Sequence, residues 1–343
     1  MQVQYIKTLL KDIKIEEDRM NKVNWGMIGA GDVAEVKSGP AFNKVDNSKL
    51  IMVMRRNLVK AEDYAKRHSI SNFTNNADDI LNNPEIDAVY IATPPSSHAE
   101  YAVRAASAHK HVYVEKPMAT TYSECKEMIE ACSTNGVKLF VAYYRRELHY
   151  FKKINELIKK NVIGDIRYAY IKILFPPSKQ DVDKENLPWR VKPEISGAGY
   201  FYDLASHQFD FLDYLFGPIK SANGSSTNQL NLYNAEDIVT ASYLFESNII
   251  GGGMWCFALG QNDRIDRTEL VGSKGKIIFS FFEPKPIEII TSKKTLTVSI
   301  DYPQHVQQSL INSVVEDILG SGNCVSTGKS AARTNWVLEQ ILG

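Results

Sequence analysis

The chain has 343 residues, 44% of them apolar, with 40 basic side chains balanced by 40 acidic ones and four cysteines. That balance excludes a broad electrostatic footprint for nucleic acid or an anionic membrane surface and favours a small-molecule partner, while the length exceeds one comfortable core and predicts two domains. Cys125, Cys132, Cys256 and Cys324 lie far apart with no C-x-x-C pair, which argues against a zinc site or a disulfide framework, so no metal is expected and the thiols fit burial in a reducing cytoplasm.

Residues 1–20 mix Leu9-Leu10 and Ile13-Lys14-Ile15 with charged side chains and never reach the apolar length of a signal peptide. They read as a leader outside the fold, and no stretch of the chain reaches the ~18 apolar residues that cross a membrane. Residues 23–28 form an apolar run that leads into Gly29-Ala30-Gly31-Asp32-Val33-Ala34. In this G-x-G-x-x-A turn Gly29 permits the tight bend and Gly31 lets the backbone approach a dinucleotide pyrophosphate. Ala34 takes the third glycine's place, where helix and strand pack closely. The helix N-terminus that follows offers free N–H groups and the positive end of its dipole. Apolar runs at 49–54, 87–93, 111–114 and 137–142 alternate with helical patterns at 58–68, 97–108 and 122–135, with Gly136 as a C-cap. That alternation predicts a doubly wound parallel sheet over residues 21–143.

Such a sheet binds its ligand outside the carboxyl ends of its strands. After the second strand, Arg55, Arg56 and Lys60 stand where an acidic residue would hold the ribose hydroxyls of NAD. The basic position favours NADP(H), with NAD(H) as the alternative. After the fourth strand, Thr93-Pro94-Pro95-Ser96-Ser97-His98 makes a stiff turn in which Ser96 or Ser97 caps the next helix and His98 holds the loop. After the fifth, Glu115-Lys116-Pro117 puts a lysine beside the crevice at its nicotinamide end.

Past residue 143 the grammar changes. A helix at 148–160, a strand at 166–174, a polar loop at 176–193 and a helix at 200–216 precede strand-like runs at 219–226, 237–245, 249–257, 268–271, 276–282, 286–291 and 295–300. Short turns join them, which predicts an α+β domain over 144–343 with a large, mostly antiparallel sheet; helices at 306–319 and 328–342 end the chain and can pack back on the first domain. Within 200–216, Asp203 and His207 are spaced i and i+4 and share a helix face. An imidazole, with its ordinary pKa near 6.5, suits proton transfer at neutral pH, and the carboxylate suits holding substrate or orienting the ring. The run 237–245 is apolar on both alternating sets, Val239, Ala241, Tyr243 and Phe245 against Ile238, Ser242 and Leu244. One set packs on the domain's own helices and the other predicts a subunit contact in a homodimer or homotetramer.

Together these motifs resemble the Gfo/Idh/MocA oxidoreductases. The Gly29-Ala30-Gly31 turn, Glu115-Lys116-Pro117, the Gly197-Ala198-Gly199 stretch leading to Asp203 and His207, and the terminal helices follow the family order from Met20 to Leu342. The resemblance implies a Rossmann domain followed by an α+β domain with an open sheet, and Lys116, Asp203 and His207 as a catalytic trio. It implies Asp32, Val33 and Ala34 along the pyrophosphate, Arg55, Arg56 and Lys60 at the adenosine phosphate, Thr93, Pro94 and His98 at the middle of the cofactor, and Glu115 and Lys116 as further cofactor-binding residues. Trp189 and Arg190 would reach the cofactor from the second domain, with Tyr144 and Arg146 in the substrate pocket. The chain departs from the family pattern at Tyr143-Tyr144-Arg145-Arg146, where many members carry Asn before the arginine, and at Ala198, within what is often a triple glycine. The implied activity is NADP(H)-dependent hydride transfer at a hydroxyl or carbonyl carbon of a sugar, cyclitol or related polyhydroxylated molecule. An NAD-dependent glycosidase-type member, a dihydrodiol or tetrapyrrole reductase, and a dinucleotide-sensing regulator are the alternatives. The basic Arg55-Arg56 counts against the first, and the intact trio against the last.

Overall fold

The computed structural model describes residues 21–260 and 263–343; the leader read at 1–20 lies outside the described residues. Six strands, β1 (Val23–Ile28), β2 (Ser48–Met54), β3 (Asn72–Thr74), β4 (Ala88–Ile91), β5 (His111–Val114) and β6 (Leu139–Val141), form a sheet in the order β3-β2-β1-β4-β5-β6. Every pairing in it is parallel. Strand β4 is buried along its whole length, as its unbroken Ala-Val-Tyr-Ile run requires of a strand covered on both faces. On one face Trp25, Phe42, Tyr90 and Tyr113 stack into an aromatic cluster. The strand order reverses between β1 and β4, which opens a crevice at their carboxyl ends.

Two elements of this half differ from the sequence expectation. Strand β3 and the helix Ala77–Leu81 were not foreseen, because three residues and five residues are too short to show a period. The turn after Gly31 winds as a π-helix over Ala34–Ser38 before a short helix at Gly39–Phe42. Pro40 has no N–H to give the Val36 carbonyl, which accepts from His305 Nδ1 at 2.7 Å instead, while Gly39 N–H bonds Ala34.

The second sheet holds eight strands: β7 (Ile166–Leu174), β8 (Ile219–Thr227), β9 (Ile238–Phe245), β10 (Ile250–Cys256), β11 (Ile265–Gly272), β12 (Gly275–Phe279), β13 (Ile287–Thr291) and β14 (Thr295–Val298). Their order is β14-β13-β12-β11-β7-β10-β9-β8. All pairs are antiparallel except β7 with β10, which run parallel because β7 is threaded between strands that come much later in the chain. The helix Gly199–Phe216 lies on the inner face, where Phe209 meets Tyr243 and Trp255 at ring distances of 5.2 and 5.5 Å. Val239, Tyr243 and Phe245 are buried there, while Tyr168, Tyr170 and Ile250 are exposed.

The C-terminal helix Gly328–Leu342 joins the two halves. Its Asn335 Nδ2 donates to the Ala119 carbonyl at 2.8 Å, its Glu339 accepts from the Tyr122 N–H at 2.5 Å, and its Ile341 lies against Gly224 of β8. All four cysteines are buried free thiols. Among the described residues no helix is long and apolar enough to cross a membrane.

Candidate active site

The glycine-rich turn has the shape a dinucleotide needs. Gly29 sits at φ +96°, and a Cβ there would come within 2.8 Å of Thr93 N, so only glycine fits. A Cβ on Gly31 would meet nothing nearer than the Gly29 carbonyl at 3.9 Å. The space beside Gly31 is therefore open to a pyrophosphate. Asp32 is exposed on the rim, Val33 is half-buried, and Ala34 is buried with its carbonyl bonded by the Tyr64 hydroxyl at 3.0 Å. At the end of β2, Arg55 is half-buried and Arg56 and Lys60 are exposed; among the described residues none of the three forms an ion pair. Asn57 caps the helix Leu58–Arg67 by accepting from the Lys60 backbone N–H at 3.0 Å.

The loop beyond β4 is fastened from below. His98 is fully buried and its two ring nitrogens face the Thr93 carbonyl at 2.8 Å and the Pro117 carbonyl at 3.0 Å, tying the ends of β4 and β5 together. Burial holds its pKa below the ordinary range despite those carbonyls. Thr93 and Pro94 are half-buried at the crevice. Contrary to expectation, neither serine caps the next helix: the Ser97 hydroxyl turns back to Thr93 at 2.8 Å and to the Pro94 carbonyl at 3.0 Å. Glu115 does not face the crevice as a ligand group. It is buried, accepting from the Tyr90 hydroxyl and from Gln307 Nε2, each at 2.6 Å, and from Lys116 N–H at 3.2 Å, so it braces the lysine from behind.

Lys116 precedes a cis peptide bond to Pro117. Its ammonium crosses to the helix Gly199–Phe216, donating to Asp203 Oδ1 at 2.5 Å and to the Asp203 carbonyl at 3.0 Å. Arg190, in the turn Trp189–Val191, brings Nε to 3.3 Å from Asp203 Oδ2 and lays its guanidinium over the Trp189 ring at 4.6 Å. Gly199, at φ +69° and with Ala235 pressed 2.4 Å from where a Cβ would stand, lets the helix start close to this loop. Burial pushes the Asp203 pKa up, but the charges of Lys116 and Arg190 outweigh it and hold the carboxyl below its usual range.

His207 lies one turn further on and is buried, with Nδ1 lacking any partner. Asp203 does not orient it: among the described residues the carboxylate bonds Lys116 and Arg190, and no hydrogen bond joins it to the imidazole. Aromatic rings seat it instead, Tyr144 at 5.4 Å, Tyr143 at 6.1 Å and Phe282 at 6.1 Å. Burial, reinforced by Arg145, Lys116 and Lys37, pushes its pKa well below the ordinary value, so the ring is neutral at physiological pH.

Tyr144 thus borders the pocket, but Arg146 does not. Arg146 is buried in a two-pronged pair with Asp210, at 2.9 and 2.6 Å, and also donates to the Val325 carbonyl and Ser330. Every direction of its guanidinium is used for packing the helices together. Sequence reasoning missed Arg145, Lys37 and Phe282, the last two because nothing local marks them as neighbours of His207.

Known proteins resemble this chain in both halves. A family model described as the oxidoreductase family with an NAD-binding Rossmann fold matches residues 23–143, and one described as the GFO/IDH/MocA C-terminal domain matches residues 151–278. Oxidoreductase P35 of Formosa agariphila is 41% identical over 94% of this chain and 99% of its own. Levoglucosan dehydrogenase of Pseudarthrobacter phenanthrenivorans is 30% identical over 60% of this chain and 54% of its own. A solved structure of levoglucosan dehydrogenase in complex with NADH and levoglucosan superimposes with a TM-score of 0.81, covering 93% of this chain and 96% of that one at 20% identity, a likeness of fold. A glycine cradle shaped for pyrophosphate, a lysine and aspartate paired across the crevice, and both halves of the family pattern lead to one conclusion: the chain belongs to the Gfo/Idh/MocA family of NAD(P)-dependent oxidoreductases.

Proposed function

We propose that the protein is an NADP(H)-dependent oxidoreductase that interconverts a hydroxyl and a carbonyl on a sugar, cyclitol or related polyhydroxylated molecule in the cytoplasm. The observation that carries this reading is the Lys116–Asp203 pair at 2.5 Å, set at the end of β5 beside the Gly29–Gly31 cradle, with neutral His207 one helical turn beyond. The anhydrosugar enzymes among its relatives support the substrate class, and the unpaired Arg55, Arg56 and Lys60 support a 2′-phosphate. The buried free thiols suit a reducing compartment.

Bound at the crevice, the dinucleotide supplies or takes the hydride. Lys116 holds the substrate oxygen and stabilises negative charge as it develops there. Asp203 fixes the ammonium in place, and Arg190 secures the carboxylate's other oxygen. His207, neutral and with Nδ1 unpartnered among the described residues, takes the hydroxyl proton during oxidation and returns it during reduction. A screen of sugars and polyols with NADPH/NADP and NADH/NAD, following absorbance of the reduced nicotinamide, tests the class. His207→Ala is expected to keep dinucleotide affinity and lose about 10²–10⁴-fold in turnover. Unchanged turnover in that variant moves proton transfer to Lys116.

A further inference from the structure

Arg145 is adjacent to Arg146 in sequence but has no carboxylate partner: among the described residues it forms no ion pair, though it is only 6% exposed. Its Nε and Nη2 both donate to the Phe281 carbonyl, at 3.2 and 3.0 Å, and its buried Nη1 has no partner. The guanidinium lies 5.0 Å from the Tyr144 ring and 4.8 Å from the Phe282 ring, a cation held against two π faces. Those same rings stand 5.4 and 6.1 Å from the His207 imidazole, inclined to it by 71° and 64°. Among the described residues no side-chain hydrogen bond sets the angle of His207, so the rings set it, and Arg145 ties the rings together from two distant parts of the chain.

We propose that Arg145 is the positioning residue of His207: by fastening the Phe281–Phe282 turn to Tyr144 it seats the imidazole, and it keeps a fixed positive charge behind the seat. The proposal rests on the reading that His207 exchanges the substrate proton. The groups facing the imidazole are Arg145 and the phenols of Tyr143 and Tyr144 from the segment after β6, Lys116 from the end of β5, Lys37 from the Ala34–Ser38 turn, and Asp203 on its own helix. Asp266 lies behind Phe282, its carboxylate occupied by the N–H groups of Phe281, Phe282 and Glu283. Apart from Asp203, which is bound to Lys116 and Arg190, the charges nearest the ring are positive. A nearby cation disfavours imidazolium, so removing Arg145 raises the pH at which the ring takes up a proton.

The test uses the full chain and three variants, Arg145→Met, Arg145→Lys and Phe282→Leu. In each, dinucleotide affinity, turnover in the oxidation direction against pH, and the His207 imidazole titration by NMR are measured, the last assigned by the signal lost in His207→Ala. Arg145→Met is expected to keep dinucleotide affinity, to lose roughly 10–100-fold in turnover from misplacement of the ring, and to move both the acid limb of the rate profile and the imidazole titration to higher pH. Arg145→Lys keeps the charge without the fork on Phe281, so the acid limb stays in place and turnover is recovered in part. Phe282→Leu removes one wall and leaves the charge, so turnover falls while the titration stays. If Arg145→Met is too unstable to study, wild-type turnover in both other variants overturns the proposal. Wild-type turnover and titration in Arg145→Met overturn it directly. Full turnover in His207→Ala is a different failure: it removes the catalytic reading of His207, while the titration in Arg145→Met still decides whether Arg145 sets the imidazole's state.

Discussion

Arginine is used in two opposite ways here, and burial decides which. Arg146 spends its charge inside the fold on Asp210, whose carboxyl burial pushes up to about 6 even against that guanidinium, whereas Arg55 and Arg56 reach the crevice rim with no ion pair. Charge held unpaired at a strand end is worth most when a phosphate arrives. NADPH is therefore expected to bind more tightly than NADH, and Arg55→Ala with Arg56→Ala to remove most of the difference, at about 1.5–3 kcal/mol for each charged contact. Fluorescence titration of both cofactors measures it, and equal affinities in the unmodified protein contradict the assignment. That Lys116, Asp203 and His207 come close together was legible because each follows a strand or shares a helix face, which are local patterns. Arg145 was not, since its meaning comes from a carbonyl 136 residues away.

At the level of elements, the signals that worked are periodic or chemical. The strand at Ile166–Leu174 and the helix Gly328–Leu342 fall where apolar spacing put them. The helix Tyr122–Thr134 begins at Thr121, whose hydroxyl accepts from Glu124 N–H at 3.1 Å while Glu124 accepts from Thr121 N–H at 3.0 Å. Thr121→Ala opens this reciprocal cap and is expected to cost about 1 kcal/mol. Urea denaturation reads that loss, with no change in dinucleotide affinity because the cap lies outside the crevice. What failed is non-local. A succession of strands with short turns predicts antiparallel neighbours, but it says nothing of the earlier strand β7 slipping between β10 and β11. The π-turn over Ala34–Ser38 escaped for a similar reason: Pro40 marks a missing donor, but the donor that replaces it, His305, lies 269 residues beyond the Val36 carbonyl.

For the whole molecule, the face of the second sheet that carries Tyr168, Tyr170 and Ile250 leaves these side chains exposed among the described residues. Exposed aromatic and aliphatic side chains side by side on a sheet make a surface that often marks a subunit contact. We expect a homodimer or homotetramer by light scattering, and Tyr170→Glu with Ile250→Glu to shift it toward monomer. A monomer persisting at micromolar concentration in the unmodified protein contradicts the expectation.

The bond between Lys116 and Asp203 carries one more consequence. An ammonium has three N–H donors, and two of these already point at Asp203, one at the side chain and one at the main chain. A freely turning lysine could greet an oxygen from either side of a carbon, but this one has a single direction left. In the proposed reaction the place of the alcohol oxygen is therefore fixed at the lysine itself. With the oxygen at that remaining proton and the hydrogen toward the cofactor, two epimers at the reacting carbon differ only in how their other two substituents lie, so the walls of the crevice tell them apart.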